Sequence, residues 1–530
     1  MGEAMGLWQR AALLRAGFYR IPSTYVSFPE PRPRGLPARG IQYTSGNFVV
    51  EGDVIEAPGQ SIWNIGADAP SSRRAALSFE WVDDLAACGT RAASQLIRDW
   101  FDEWLANHER IRGEVWVPDL VAARLIRMVN HGPIFLAGRT EADQKAFFRT
   151  VSQHYRFLTF TWTRTAADLS RISALVAMLF ASYAMDATGK EFETHLEDLG
   201  LTCDTMIGDD GSIAGRNPEE LMQVFSLLSW ASRVLEALDY PQNKSILKAL
   251  ERIAPCLRSL RFANGNLAVF NGGGPGMLGR LDQALADGRV RFPAYPEGAM
   301  GFVRMAASRS VLIADAGPSV LPTPTAIEFA VGRHPIFVNM GALDIYGPRY
   351  YDMGRRSSAH TMAVVDRADP VLLQDGVEIA RTQDQGSQSL RLGHTGYLST
   401  HGIAIERSLT LTADGQALGG TERFLIPADS EKTFAAAARG ATIPHLPTTV
   451  HFHLSPEVAA QINLGGTILS LALPNGQVWG FRQAGGKLTL KPSVLMTPNR
   501  LRPLATQQIQ ISGDITAGGI EFSWLLERLE

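Results

Sequence analysis

Only three cysteines stand in 530 residues, Cys88, Cys203 and Cys256, far apart and odd in number. No C-x-x-C pair occurs among them, so neither a disulfide framework nor a zinc ribbon is supported, and buried free thiols are the expectation. A dominant charge of either sign is also missing. The formal net charge is −3, which excludes a global basic surface for nucleic acid and makes any recognition of a polyanion local. No apolar run approaches the ~20 residues of a membrane span. The stretch from Met1 to Arg20 is apolar but broken by Arg10, Arg15 and Arg20, short of the ~7–15 uninterrupted apolar residues of a secretory signal. The reading is a chain with no transmembrane segment and no visible export signal, which argues for the cytoplasm.

Hydrophobic residues make up 45% of the chain and charged residues 19%, the balance of a well-buried globular protein rather than a disordered one. At this length roughly two to four domains are expected. From about residue 85 to 262 apolar residues recur at helical spacing. Leu221, Val224, Phe225, Leu228, Leu235 and Leu238 form one stripe that begins just after Asn217-Pro218, a cap residue followed by proline at the first helical position. Further helices are predicted near 92–110, 117–130, 142–161, 166–186, 189–205 and 244–261, joined by short loops as antiparallel hairpins. Ser173 to Ala181 is almost wholly apolar, which predicts an inner helix. Trp100, Phe101 and Trp104 fall at helical spacing and read as core rather than as a sugar platform.

After Asn271-Gly272-Gly273-Gly274-Pro275-Gly276 the period becomes two. That glycine run lacks the Lys and Ser/Thr of a phosphate-binding loop and reads as a hinge. Strands are predicted at Gly301 to Asp315, Ile327 to Met340, His360 to Asp366, Leu390 to Ile403, Ile405 to Thr412, Thr448 to Leu454, Thr467 to Leu473 and Ile509 to Ile515. Asp414-Gly415 and Asn475-Gly476 are hairpin turns. From about residue 290 onward nearly everything should be strand, giving an α+β chain whose second half is a large antiparallel β-sandwich with no parallel sheet.

The chemistry concentrates in Arg355-Arg356-Ser357-Ser358-Ala359-His360-Thr361. Two guanidinium forks and an imidazole at the mouth of a strand suit an anionic ligand and a proton transfer. The plainer reading is a histidine capping the strand with solvated arginines beside it. Tyr346, Arg349, Tyr350 and Tyr351 precede the motif on an expected loop, where they suit sugar stacking and carboxylate contact or staple the sandwich to its neighbour. His451 and His453 share one face of a strand and with His360 could hold a zinc ion. The alternative places one of them at a solvated strand end.

The order of these parts resembles the heparinase II/III-like polysaccharide lyases. The resemblance is carried by the short strand pair from Gly46 to Gly52, by Asp210-Gly211-Ser212 leading to Arg216-Asn217-Pro218, and by Asn264-Gly265-Asn266-Leu267 before Phe270-Asn271-Gly272. It continues through Leu312 to Pro318, the Arg356-to-Thr361 motif and Phe452-His453-Leu454-Ser455-Pro456, where Ser455 replaces the family's second histidine. It implies an N-terminal extension over 1–70, an α/α toroid (an incomplete α/α barrel) over 71–285 and a β-sandwich over 286–530, with an acidic-polysaccharide cleft between them. It also implies work in the periplasm or cell envelope, no required cofactor, and a structural zinc as in some relatives.

Family chemistry is β-elimination from a uronic acid: the carboxylate is neutralised, a base takes the adjacent proton, and an acid serves the departing oxygen. His360 matches the family histidine. The family tyrosine falls where Glu219 and Glu220 stand, and its Asn-Asn-His falls near Leu169, Ser170 and Arg171. The catalytic candidates are therefore His360, Glu220 and Arg171. Arg355, Arg356, Asn217, Arg216, Tyr346 and Arg349 are the substrate-binding candidates, although Asn217 before Pro218 also reads as a helix cap. His453 is the metal candidate. Three readings stand: a lyase acting on an acidic, uronate-containing polysaccharide, a glycoside hydrolase pairing Glu220 with Asp210 or Asp209, and a binding or envelope protein that keeps the cationic cleft without catalysis.

Overall fold

Capping chemistry starts the helices where the sequence marks them. Asn217 Oδ1 accepts the backbone N–H groups of Glu219 (2.9 Å) and Glu220 (3.3 Å), and Pro218 opens the helix Pro218–Ala237. Asn243 caps Lys244–Ser259 in the same way, and Thr140 with Asp143 forms a capping box for Glu141–Thr161. The computed structural model describes residues 6–17, 22, 24–27, 29–30, 35–66, 68–107, 114–185, 189–277, 279–289, 298–438, 444–463, 468–498 and 500–529. Arg20, the expected helix end at 108–110, Asp186 and the expected strand start at Thr467 lie outside the described residues.

The first half is helical. Arg91–Asn107, Pro118–Asn130, Glu141–Thr161, Leu169–Met185 and Lys190–Met206 join the two helices already named. Leu169–Met185 is buried from Ala174 through Ala184 and packs against the helices on four sides, Pro118–Asn130, Glu141–Thr161, Lys190–Met206 and Pro218–Ala237. A helix almost wholly apolar from Ala174 onward has little face to offer water, so it takes the inner position. Trp100, Phe101 and Trp104 are core, as their spacing implies. Shorter helices Pro37–Thr44, Pro70–Leu77, Glu80–Cys88, Gly132–Leu136 and Arg280–Gly288 complete this half. Cys203 and Cys256 are buried free thiols, pushed up to about 12 by that burial, and Cys88 is half-buried.

The second half is two antiparallel sheets. One runs, in spatial order, Ala459–Ile462, Ile468–Ala472, Val478–Ala484, Ile520–Arg528, Ala417–Leu425, Ile403–Thr412, Ser387–Tyr397 and Glu378–Gln383. The other runs Lys487–Leu495, Leu504–Ile515, Leu446–Leu454, His334–Val338, Ile327–Val331, Ser310–Asp315, Phe302–Ala307 and Gly298–Ala299, with Ala363–Val365 also pairing to Leu446–Leu454. No parallel pair occurs among the described residues. Alternating burial along Ile403–Thr412 marks the period of two. Phe337 and Phe452 of one sheet meet Phe481 and Trp524 of the other, with Phe337–Phe452 at 5.1 Å and Phe452–Trp524 at 5.0 Å between ring centroids. The expected long strands at 301–315 and 327–340 are hairpins, turning at Ser308 and Gly332. The second half also holds the helices Pro348–Gly354 and Glu431–Ala437, so of the tyrosines expected on a loop Tyr350 and Tyr351 sit on a proline-started helix, and Tyr346 ends the short turn Asp344–Tyr346 before it.

The halves share one apolar cluster. Met300, Phe302, Ile313, Ala326, Ala330 and Met362 of the sheet half pack with the helices. Arg216 reaches across, donating from Nε to the Met300 carbonyl at 2.7 Å and pairing with buried Asp315 and the Pro318 carbonyl. Glu328 accepts the Val269 N–H at 3.0 Å and the Asn339 N–H at 2.8 Å, tying the segment before the glycine run to the first sheet.

Candidate functional site

The glycine run is the place where the halves meet the charged motif. Gly272 has φ +88°, a left-handed conformation that favours glycine, and the Arg355 guanidinium lies over it, 3.6 Å from where a Cβ would stand. At Gly273 a Cβ would collide with Asn217 Oδ1. Gly274 donates its N–H to Glu219 Oε2 at 2.7 Å. The loop thereby gathers Asn217, Glu219 and Arg355 at one junction. Arg355 is half-buried, stacks on Tyr351 at 5.2 Å and donates to the Tyr351 hydroxyl at 3.1 Å.

His360 closes the turn Ser357–Ala359 and is 1% exposed. Its Nδ1 lies 3.0 Å from the Arg356 carbonyl. A carbonyl only accepts, so the proton sits on Nδ1 and the Nε2 lone pair is left as the basic site. Nε2 makes no hydrogen bond among the described residues. Burial pulls the imidazole down to about 4, against the raising effects of the Arg356 carbonyl and Asp369, so it is neutral at neutral pH. Asp369 pins the turn by accepting from Ser357 N–H (2.9 Å) and Oγ (2.7 Å) and from Arg356 Nε (3.3 Å).

The next residue is fastened on every side. Thr361 donates its N–H to Asn339 Oδ1 at 2.9 Å, its hydroxyl lies 2.9 Å from the Val338 carbonyl, and its own carbonyl accepts from Arg407 Nη1 at 2.9 Å. Arg407 is fully buried against Glu422 at 2.8 Å. A buried pair is costly to break from one side, which makes this a rigid seat for the histidine.

A heparinase II/III-like C-terminal domain model matches residues 292–525. Residues 292–525 belong to that heparinase II/III-like C-terminal domain family. The fold of the whole chain is similar to a heparinase III structure, with TM-score 0.69 and 12% identity over 98% of this chain and 89% of that one. It is also similar to a mutant of heparan sulfate lyase HepC from Pedobacter heparinus, with TM-score 0.55 and 12% identity over 98% of this chain and 87% of that one. No curated protein matches it.

Several of the candidates have other work. Arg216 was a substrate-binding candidate, but its fork is consumed by Met300, Asp315 and Pro318 and stacks on Phe302 at 4.7 Å. Arg171, the candidate for neutralising a carboxylate, turns back to the Thr165 carbonyl at 2.6 Å. Glu220 accepts the Leu169 N–H at 3.3 Å, heading the inner helix, while burial raises its pKa. Tyr346 is buried with its hydroxyl 2.5 Å from the Thr497 carbonyl. Asn217 is the helix cap already described. Arg356 is exposed beside Asp369, and Arg349 is exposed on the helix Pro348–Gly354.

The zinc expectation finds no fitting donor set. His451 and His453 do face the same way, with ring planes 10° apart at 6.2 Å. His453, however, donates from Nε2 to the Ser358 carbonyl at 3.0 Å and accepts at Nδ1 from Ser493 Oγ at 2.7 Å. Neither nitrogen is left for a metal, and no group of three metal-ligating side chains forms among the described residues. The acids of the hydrolase reading have other partners: Asp209 is 97% exposed on Arg252, and Asp210 accepts the Ser212 N–H in its own turn. The sequence reading passed over Glu219, whose pKa burial also raises. The choice between it and Glu220 depends on which face of the first helical turn meets the glycine loop, and nothing in the local pattern signals that.

Proposed function

We propose that this chain binds an acidic, uronate-containing polysaccharide at the junction of its halves and cleaves it by β-elimination centred on His360. The observation that supports the reading is the fixed tautomer of His360, a neutral imidazole whose Nε2 makes no hydrogen bond among the described residues, in the motif that begins with the half-buried Arg355 fork. Arg355 pairs with the uronate carboxylate and holds the charge that develops on it. Nε2 takes the proton from the neighbouring carbon. Electrons of that bond form the double bond as the bond to the glycosidic oxygen breaks, and the imidazolium returns its proton to the departing oxygen. A bound carboxylate also raises a pKa that burial has lowered, bringing His360 towards the operating pH. Glu220 and Arg171 have no step here, because their groups already hold backbone.

A second reading, binding without cleavage, is favoured by one observation: at 1% exposure His360 meets a substrate carbon only if its surroundings shift. Incubation with uronate polymers separates the two. Elimination yields an unsaturated product absorbing in the near ultraviolet, and His360→Ala should lower turnover by about 10²–10⁴. Binding with no such product on any uronate polymer would establish the second reading instead.

A further inference from the structure

One surface patch of the helical half uses none of the residues gathered at the junction. The helix Leu7–Ala16 lies against Glu141–Thr161, and Gln9 Nε2 fastens it by donating to the Trp116 carbonyl at 3.1 Å. Its inward side is modest: Gln9, Ala12 and Ala16 are buried, and Leu13 is partly so. Two leucines point the other way. Leu7 is 84% exposed and Leu14 71%, and with Arg10 and Ala11 they make one solvent-facing stripe at helical spacing. A surface helix ordinarily turns its leucines to the core, so this stripe is reversed.

Phe160, near the end of Glu141–Thr161, adds a third exposed apolar side chain. Cations stand among these residues. Arg15 lies over the Phe160 ring at 5.8 Å and Arg156 at 5.2 Å, and Arg164 lies over Trp8 at 4.9 Å. Arg156 is matched by Glu191 at 3.3 Å, and Glu191 also accepts from Tyr155. Arg10, Arg15 and Arg164 make no ion pair with any described residue, and Leu7–Ala16 contains no Asp or Glu.

That composition selects the occupant. Three separate apolar side chains fall short of the ~800 Å² per partner of a stable protein interface, and a second copy seated face to face would set arginine against arginine. A soluble polyanion would use the cations but leave the leucines in water. A lipid interface uses both, because apolar side chains enter the boundary below the headgroups while guanidinium forks meet phosphate. The contact would lie along the surface, since ten residues of helix are only about 15 Å long. We propose that this face docks on an anionic lipid surface, with Leu7, Leu14 and Phe160 entering the headgroup boundary and Arg10, Arg15 and Arg164 pairing with lipid phosphates. The inference is independent of the function proposed above.

Co-sedimentation of the full chain with vesicles tests it, one set of phosphatidylcholine alone and one of phosphatidylcholine with an equal part of phosphatidylglycerol. The parent should bind the mixed vesicles, more weakly as salt rises, and the neutral ones far less. Leu7→Gln with Leu14→Gln should weaken binding roughly tenfold or more, the value of lost leucine burial. The melting temperature should not move, because both side chains already face water and Gln keeps the helix. Arg10→Gln with Arg164→Gln should weaken binding about fivefold for each charge. No binding of the parent to the mixed vesicles overturns the inference. Full binding by the leucine variant also overturns it and leaves charge alone as the attraction, as for a soluble polyanion. Sedimentation velocity covers the other occupant: a dimer that the leucine variant converts to monomer, with no vesicle binding, would make this face an interface between copies and end the lipid reading.

Discussion

Arg216→Ala is the sharpest test of how the two halves are joined. Arg216 lies in the turn before the helix Pro218–Ala237, and its guanidinium is buried against Met300, Asp315, Pro318 and the Phe302 ring. Removing it leaves Asp315 as a buried carboxylate whose remaining bond is a 3.3 Å one from the Gly317 N–H. Breaking a buried pair from one side costs about 3–5 kcal/mol, because the surviving charge has no compensation. Asp315→Ala alone should cost less, since the Arg216 fork keeps two carbonyl partners. The double variant should lose less than the two single losses added, by the coupling between residues in contact. Asp315 is already raised above the ordinary carboxylate value by burial, against the lowering effect of Arg216. Its pKa must rise further in Arg216→Ala, so the variant's deficit should be largest above that pKa and shrink as pH falls through it. Urea unfolding followed by fluorescence measures each term. A loss below about 1 kcal/mol for Arg216→Ala, or a deficit independent of pH, would refute the staple and return Arg216 to the substrate-binding candidates.

Acid should destabilise the fold: His360 and His195 are lowered to about 4, and His394 and His453 to about 3, from 6.5, mainly by burial. The unfolded chain then takes up protons first, so the stability these groups contribute is full above 6.5 and is lost as pH falls towards 4. A melting temperature flat between pH 7.5 and 5 would contradict it. Asn217→Ala should lose about 1 kcal/mol of stability and Asn217→Ser should restore most of it, as for a helix cap; unchanged stability with lost saccharide binding would make Asn217 a ligand residue instead. Arg356 is 60% exposed beside Asp369, so Arg356→Ala should change stability by ~1 kcal/mol at most. It should also weaken binding of an acidic chain and flatten its salt dependence, and affinity that stays the same at low salt would remove Arg356 from the site.

Elements with one clear period were legible. The stripe after Asn217-Pro218 and the apolar run from Ser173 to Ala181 became the helices expected, because burial of one face, or of every face, is written locally. The helices Pro37–Thr44, Pro70–Leu77 and Gly132–Leu136 escaped notice because a proline at the first or second position also reads as a loop. Two strands were hidden by residues that strands usually avoid. Ala417–Leu425 contains Gly419 and Gly420, and a Cβ at Gly420 would collide with the Trp524 ring on the neighbouring strand. Lys487–Leu495 contains Pro492, tolerated because that strand lies at the edge of its sheet. Such reasons exist only once the partner strand is known.

The site divides in the same way. The motif from Arg355 to His360 was found because its residues are neighbours in sequence, and the local turn does seat the imidazole on the Arg356 carbonyl. Which acids and cations face one another depends on contacts between distant segments. Glu219 and Glu220 stand where the resemblance leads one to expect a tyrosine, and each accepts a backbone N–H, Gly274 for one and Leu169 for the other. Those bonds fasten the glycine loop and the inner helix to the start of Pro218–Ala237, a task that two acceptor-only carboxylates suit better than a phenol with a proton to place. At these positions the chain holds two anchors and no phenolic proton donor. If elimination occurs, one imidazole must both remove the proton and return it, and activity must fall by about 10²–10⁴ in His360→Ala while Glu220→Gln, whose amide oxygen still accepts from Leu169, stays close to the parent. Severe loss in Glu220→Gln with His360→Ala nearly active would reverse the assignment and put the carboxylate at the reacting atoms.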